Sequence, residues 1–334
     1  MTGSAQRSKP SRPPVSWSWL NAAHGAVLAI PAVVACVFDP AIGLPLAVGV
    51  LPAAALGLRR PRRQRFLVVI VGALAGVSMI IGSLVAPFPM IAVLTVFALC
   101  VVVAVLMVNP RRRFAPLALM LGVPLIGVGL SETPSAALAA GVLMLVGSVY
   151  AWLVSLIWRD APAPPRPAKQ AADRRAMLVY GIQIGLAGAA GAALGFALGV
   201  DHPGWASAAA MLISRPDRDL LDTRSIGRVV SVLLGAIIAC AIAALNPPDP
   251  VLAGVALLVL AGASATAGSR WYVMPFFSTT LVLSMLIGNE TETAAHWFLE
   301  RVLLTLAGAA LALLAAWIVP NIARFIRPHD HRPT

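Results

Sequence analysis

The feature that most constrains this 334-residue chain is the order in which charge occurs between its apolar stretches. Of its 25 Lys and Arg residues, 24 fall into every second gap between those stretches, and the other gaps carry acids and one cation, Arg301. The basic gaps are 1–20, 59–65, 111–113, 159–175, 215–228, position 270 and the tail from 324. Positive charge beside membrane spans is retained on the cytoplasmic side. The alternation therefore predicts a chain that crosses a membrane many times, with both termini in the cytoplasm.

The composition supports a lipid environment. Hydrophobic residues make up 59% of the chain and charged residues 11%, whereas soluble proteins contain roughly 25% charged residues. Such a chain lacks the polar residues to cover an aqueous core, so the bilayer is its first predicted partner. The net charge of +12 lies in short loops beside spans, which favours membrane topology over nucleic-acid binding. Cys36, Cys100 and Cys240 all lie inside apolar runs, so we predict packing roles for them, with no disulfide, metal or cofactor.

The apolar stretches predict an all-α polytopic fold with about twelve transmembrane helices. Each stretch is near the roughly 20 residues that a bilayer requires, and the eighth is shortened by Pro216. The predicted spans are 21–37, 41–58, 66–85, 90–108, 114–130, 135–157, 177–199, 204–216, 229–245, 251–267, 271–288 and 299–319.

The chain also predicts an internal repeat. Arg65-x6-Gly72 in the first half corresponds to Arg228-x6-Gly235 in the second. With six spans in each half, both halves have the same orientation, which predicts two parallel repeats. The predicted organisation is a tail at 1–20, a degenerate repeat at 21–158, a Pro-rich cytoplasmic linker at 159–176, a second repeat at 177–319 and a tail at 320–334. A path between two such halves is a common transporter plan, and a membrane scaffold is the alternative.

Arg301 departs from the charge alternation and is therefore the first candidate for function. It lies at the predicted outward end of the last span, where a cation needs an ion pair with Glu300, Glu290 or Glu292, or an anionic ligand. Arg301-x6-Gly308 places the two residues on one helix face, as in the two arginine motifs above. For Arg228, a cytoplasmic anchor at the start of the ninth span remains the alternative.

Small and polar residues mark further positions in the second half. Glycines at helical spacing predict close helix packing, at Gly181, Gly185, Gly191, Gly195, Gly235 and Gly308. Gln183 and Thr279 lie within apolar spans, where they either line a path or bond to their own backbone. The charged segment at 215–224 resembles one metal-binding motif of membrane transferases, but a second acidic cluster is absent from the sequence, so we predict no enzyme.

His202-Pro-Gly-Trp205, Ser214-Arg215-Pro216, Thr223-Arg224-x3-Arg228-x6-Gly235, and the later Pro275-x3-Thr279 with Arg301-x3-Thr305-x2-Gly308 resemble the fusaric acid resistance (FUSC) or aromatic acid exporter family. The resemblance covers about 175–320 well and 20–158 as a degenerate copy. Ser231-Val232 departs from the Gly-Thr of the family motif, and the linker replaces a large cytoplasmic domain. The resemblance implies export of aromatic carboxylates or similar small acid anions from a bacterium through its inner membrane.

These observations predict a multi-pass transporter of organic anions. No span carries an acid at its middle, so we expect efflux to use the membrane potential rather than a proton relay. The predicted substrate-path residues are Arg301, Arg228, Arg224, Trp205, Thr279 and Gln183, with Arg215, His202 and Glu300 as secondary candidates. A homo-oligomer is compatible with the sequence. The alternatives are a major-facilitator-like carrier, although the loop at 57–65 lacks that family's Asp, and a scaffold for a partner protein.

Overall fold

The computed structural model describes residue 13 and residues 15–57, 61–109, 115–158, 173–215, 219–289 and 293–325, and its regular structure there is helical. Short helical turns at Arg62–Arg65, Ala115–Leu117, Ala118–Gly122 and Trp271–Val273 precede longer helices. We number the longer helices α1 Trp19–Phe38, α2 Pro40–Leu56, α3 Leu67–Val85, α4 Pro89–Leu106, α5 Pro124–Gly129, α6 Pro134–Ser155, α7 Arg174–Leu198, α8 Gly204–Ile213, α9 Asp219–Ala244, α10 Asp249–Ala265, α11 Met274–Asn289 and α12 Ala294–Phe325.

Local sequence explains where several of these helices begin and end. Asp39 accepts a hydrogen bond from the backbone N–H of Ala41 (2.8 Å), and Pro40 opens α2, so the turn between the first two helices is short. Asp173 caps α7 by accepting from the N–H of Ala176 at 3.1 Å. Gly199 ends α7 in the left-handed conformation, with φ of 62°, which releases the chain into the connection to α8.

The fold is that of a polytopic all-α membrane protein, as predicted, but the twelve spans are not all present as membrane-length helices. Seven described helices are long and apolar enough to cross a membrane: α1, α3 with its preceding turn, α4, α6, α7, α9 and α12. Helices α2, α8, α10 and α11 are apolar but only 10–17 residues long. The predicted fifth span is broken into a short turn, a π-helical turn and α5.

Two helix boundaries differ from the prediction in a way that matters for function. Helix α9 begins at Asp219 rather than at 229, so Arg224 and Arg228 lie inside the helix and not at its end. Helix α12 begins at Ala294 rather than at 299, which places Arg301 two turns inside it. The prediction began the ninth span after Arg228 and placed Arg301 at the outward end of the twelfth, whereas burial within the protein lets both helices extend beyond these arginines.

Helices from the two ends of the chain pack against each other. The N–H of Ser18, just before α1, donates to the carbonyl of Ala265 at the end of α10 (3.0 Å), so these helices run antiparallel. Further packing pairs are α4 with α7, α3 and α2 with α6, α9 and α8 with α12, α3 with α5, α9 with α11, α1 with α2, and α7 with α8. Helix α8 therefore lies between α7, α12 and α5, and its ends carry the candidate site.

Candidate anion-binding site

Arg228 and Arg301 lie inside helices that are long enough to cross a membrane. Arg228 in α9 is 9% exposed, and Arg301 in α12 is partly buried. The Nε atoms of Arg228 and Arg301 are both buried, and neither has a hydrogen-bond partner among the described residues. A buried charge without a partner costs free energy, particularly within a membrane. A bound anion would therefore stabilise both guanidinium groups.

The ion pair predicted between Arg301 and Glu300 is absent from the described residues. Glu300 instead accepts a hydrogen bond from the backbone N–H of His202 (2.7 Å) and lies 3.6 Å from the Nδ1 of that residue. The Glu300 charge acts on Arg301 only from beyond ion-pair distance. The two other carboxylates proposed for Arg301, Glu290 and Glu292, lie outside the described residues. Arg301 is therefore available to a ligand within the part of the chain that is described.

A group of aromatic rings lies beside Arg301. Its guanidinium carbon is 4.8 Å from the ring centroid of Trp205, a cation–π distance, and Trp205 is 4% exposed. His202 stacks on the same indole with centroids 4.1 Å apart and planes 14° apart. Trp297 adds a third ring, 6.4 Å from Trp205. The structure therefore brings together Arg301, Trp205, His202 and Glu300, all four of which the sequence analysis selected.

The positive charge extends along α9 beyond Arg301. The charges of Arg301 and Arg215 both act on Arg228, and the charge of Arg215 also acts on Arg224. Arg215 donates to the carbonyl of Ser214 at 2.7 Å, just after α8 ends. Residues 216–218, which the sequence analysis considered as part of a metal motif, lie outside the described residues. Four predicted arginines thus share one electrostatic environment.

Thr279 and Gln183 are buried polar groups that the structure does not bring directly to Arg301. Thr279 is 0% exposed, and its hydroxyl has no hydrogen-bond partner among the described residues. It lies beside Gly235, where an added Cβ would be 3.1 Å from the Thr279 Cβ. The amide nitrogen of Gln183 is also buried without a described partner. Because neither the Thr279 hydroxyl nor the Gln183 amide nitrogen bonds to another described residue, both groups remain candidates for the substrate path.

The six predicted packing glycines all lie at helix contacts. Added Cβ atoms would meet α4 at Gly181 and Gly185, α8 at Gly191, Gly195 and Gly308, and α11 at Gly235. Gly308 lies two turns from Arg301, and a Cβ there would lie 2.5 Å from the carbonyl oxygen of Ala206, next to Trp205. Close approach of α12 to α8 is thus what brings Arg301 over the indole.

The corresponding arginine of the first half is used differently. Arg65 is 6% exposed and donates to the backbone carbonyls of Ser155 and of Trp158, the latter at 3.1 Å. It therefore fastens the start of α3 to the end of α6. Arg228, which occupies the equivalent position in the repeated motif, makes no described hydrogen bond through Nε. Ser231, the departure from the family motif, donates to the Tyr272 carbonyl, so helix contact is kept at that position.

Two residues beside this site, Asp201 and His296, are not among the predicted path residues. The Nε2 of His296 is 2.7 Å from the Oδ2 of Asp201 and 3.6 Å from the Oε2 of Glu300. Asp201 precedes α8, whereas His296 and Glu300 lie four residues apart on one face of α12. Because Asp201 and His296 lie 95 positions apart in the chain, only the packing of α8 on α12 reveals the cluster.

A comparison with family models identifies the second half of the chain. Residues 170–315 match the family described as fusaric acid resistance protein-like. The chain contains a fusaric acid resistance protein-like domain. This domain runs from α7 through most of α12 and includes every arginine of the candidate site. The match confirms the resemblance found in the sequence over this part of the chain, and the seven helices of membrane length make the chain a multi-pass membrane protein. No significant match was found among curated proteins or among solved structures.

Proposed function

We propose that this protein transports small organic anions that carry an aromatic ring across the membrane. The observation that carries the proposal is the pair of arginines, Arg228 and Arg301, whose Nε atoms are buried and have no hydrogen-bond partner among the described residues. The family match supports a transporter, and the charge of the site supports an anionic substrate.

The chemistry of the site favours a carboxylate attached to a ring. A guanidinium group offers parallel N–H donors that match a carboxylate, and charge-assisted bonds of this kind are stronger than neutral ones. Trp205, His202 and Trp297 provide aromatic rings near Arg301, against which the ring of the substrate would pack. Thr279 and Gln183 supply neutral polar groups that would line the path toward Arg228.

The packing of the helices supports the predicted plan of two parallel six-helix halves. The largest contacts in the first half recur after a shift of six helices: α3 with α6 as α9 with α12, and α2 with α6 as α8 with α12. The contact of α1 with α10 likewise corresponds to that of α7 with α4. We therefore propose that the shorter apolar helices complete twelve crossings, with both termini in the cytoplasm of a bacterium and the chain in its inner membrane.

Outward transport fits the charge of the substrate. With the cell interior negative, each unit of negative charge that leaves gains about 2.3 kcal/mol per 100 mV. Potential-driven export therefore needs no acidic relay in the middle of a span, and the sequence contains none there.

The test is uptake of radiolabelled benzoate into inside-out vesicles that contain the full-length protein, with and without an imposed potential. We expect uptake to depend on the potential and to fall at least about tenfold in Arg228→Ala and in Arg301→Ala, because each removes charge-assisted hydrogen bonds of about 1.5–3 kcal/mol. Arg63→Ala, which removes an exposed arginine, is the matched control and should retain uptake.

Two outcomes would contradict the proposal. A protein that only supports a partner would give no flux of benzoate or of any other weak acid. Flux that is equal in wild type, Arg228→Ala and Arg301→Ala would show that the buried arginines do not bind the substrate.

A further inference from the structure

The cluster formed by Asp201, His296 and Glu300 has the composition of a metal site. One ligand atom from each residue, the Asp201 Oδ2, the His296 Nε2 and the Glu300 Oε2, lies within 4.8 Å of the others. Two carboxylates and one imidazole around a common centre are a donor set used for zinc and related divalent transition metals. The sequence analysis expected no metal, since these residues are distant in the chain.

The orientation of Glu300 is a second, independent observation that points to a ligand. Its side chain is 5% exposed, and its Oε1 is held by the backbone N–H of His202 at 2.7 Å. The other oxygen, Oε2, is buried without a hydrogen-bond partner among the described residues and faces His296. A carboxylate with one oxygen fixed and the other unused is oriented as the carboxylate ligands of metal sites are.

The neighbouring groups would support a bound cation. His202 lies behind the carboxylate, with its Nδ1 3.6 Å from the Glu300 Oε1, and it is fixed by stacking on Trp205. Asp201 is exposed and His296 partly exposed, so an ion can enter from solvent. Zinc–ligand distances of about 2.0–2.2 Å require ligand atoms roughly 3.2–3.6 Å apart. The His296 and Glu300 ligand atoms are 3.6 Å apart, whereas the Asp201 oxygen lies 2.7 Å from the His296 Nε2. A small movement of the exposed Asp201 would complete the set.

We propose that Asp201, His296 and Glu300 bind a divalent transition-metal ion of the zinc class at the end of α12 beside the candidate anion site. This inference is independent of transport, because it concerns binding that is measured on the purified protein. A first-row ion with an open coordination position fits three protein ligands, with water in the remaining place.

The experiment measures Zn²⁺ binding to the full-length, untagged protein in detergent, first stripped of metal with a chelator. We expect one ion per chain, and affinity at least about tenfold weaker in His296→Ala and in Glu300→Gln, since even supporting residues of metal sites contribute 10- to 100-fold. Asp249→Asn, which removes an exposed carboxylate elsewhere, should bind as wild type does. His329→Ala/His331→Ala should also bind normally, which excludes the histidines of the tail.

Two further readouts separate ligation from damage to the fold. Zinc should raise the melting temperature of wild type and of Asp249→Asn but not that of His296→Ala, because a ligand stabilises only the form that binds it. Visible absorption of bound Co²⁺ should appear in wild type and vanish in His296→Ala. The proposal is overturned if zinc does not bind, or if it binds His296→Ala and Glu300→Gln as tightly as wild type. A variant whose metal-free melting temperature has dropped would be replaced by Asp201→Asn, for which the same loss is expected.

Discussion

Arg301 combines a positive charge with a planar shape, and the site uses both. Its guanidinium lies 4.8 Å from the Trp205 centroid, and its Nε is unpartnered among the described residues. Lysine would keep the charge but lose the planar fork that binds a carboxylate through two bonds. We therefore expect Arg301→Lys to lower benzoate uptake nearly as much as Arg301→Ala does. Uptake in vesicles at several benzoate concentrations measures this, and full activity in Arg301→Lys would show that charge alone is sufficient.

Trp205 tests whether the proposed substrate must contain a ring. Trp205 lies beside both Arg301 and His202. Stacked aromatic pairs contribute about 0.5–1.5 kcal/mol beyond buried area, which corresponds to roughly 2- to 10-fold in affinity. We expect Trp205→Leu to lower the preference for benzoate over cyclohexanecarboxylate by that factor. Competition between the two acids in one vesicle preparation measures the preference, and an unchanged ratio would place the substrate ring elsewhere.

Helices α5 and α8 approach each other closely at two glycines, Gly127 and Gly204. A Cβ added at Gly204 would overlap the backbone of Gly127, whereas Gly254 in α10 has open space around it. We expect Gly204→Ala to lower stability by about 1–3 kcal/mol, since extra volume in a packed contact forces the backbones apart. Gly254→Ala should be neutral or stabilising, because alanine favours a helix by about 1 kcal/mol over glycine. Thermal unfolding in detergent compares the pair, and equal melting temperatures would contradict the contact.

The sequence predicted helix boundaries well where neighbouring residues set them. It predicted them poorly where tertiary packing sets them. The predicted starts of α2 and α7 lie within a few residues of the observed ones, where Asp39 and Asp173 cap the helices and so fix these boundaries locally. The start of α9 was placed about three turns late, since Arg228 is accommodated by neighbouring helices that the sequence does not reveal. The same limit applies to the site. Arg301 was identified by its departure from the charge pattern, whereas His296 was not, because nothing in its own segment marks it.

At the scale of the whole molecule, charge and packing both favour an even number of crossings. Seven helices reach membrane length, and if these alone crossed, the two ends of the chain would lie on opposite sides. Helices α2, α8, α10 and α11 are shorter, yet their largest contacts correspond to those of helices six positions away: α2 with α6 as α8 with α12, α10 with α1 as α4 with α7, and α11 with α9 as α5 with α3. The basic gaps also place both tails on one side of the membrane.

Cysteine labelling decides between these arrangements. Cys36, Cys100 and Cys240 are first replaced by alanine, and a single cysteine is then introduced at Ser11, Thr334 or Asp249. Intact cells that carry each variant are treated with a membrane-impermeant maleimide. We expect labelling at Asp249→Cys only, with Ser11→Cys and Thr334→Cys reacting after the cells are opened. Labelling of one tail but not the other in intact cells would mean an odd number of crossings. The two halves would then have opposite orientations or unequal numbers of spans, and the shift of six helices in the packing could not reflect a parallel repeat.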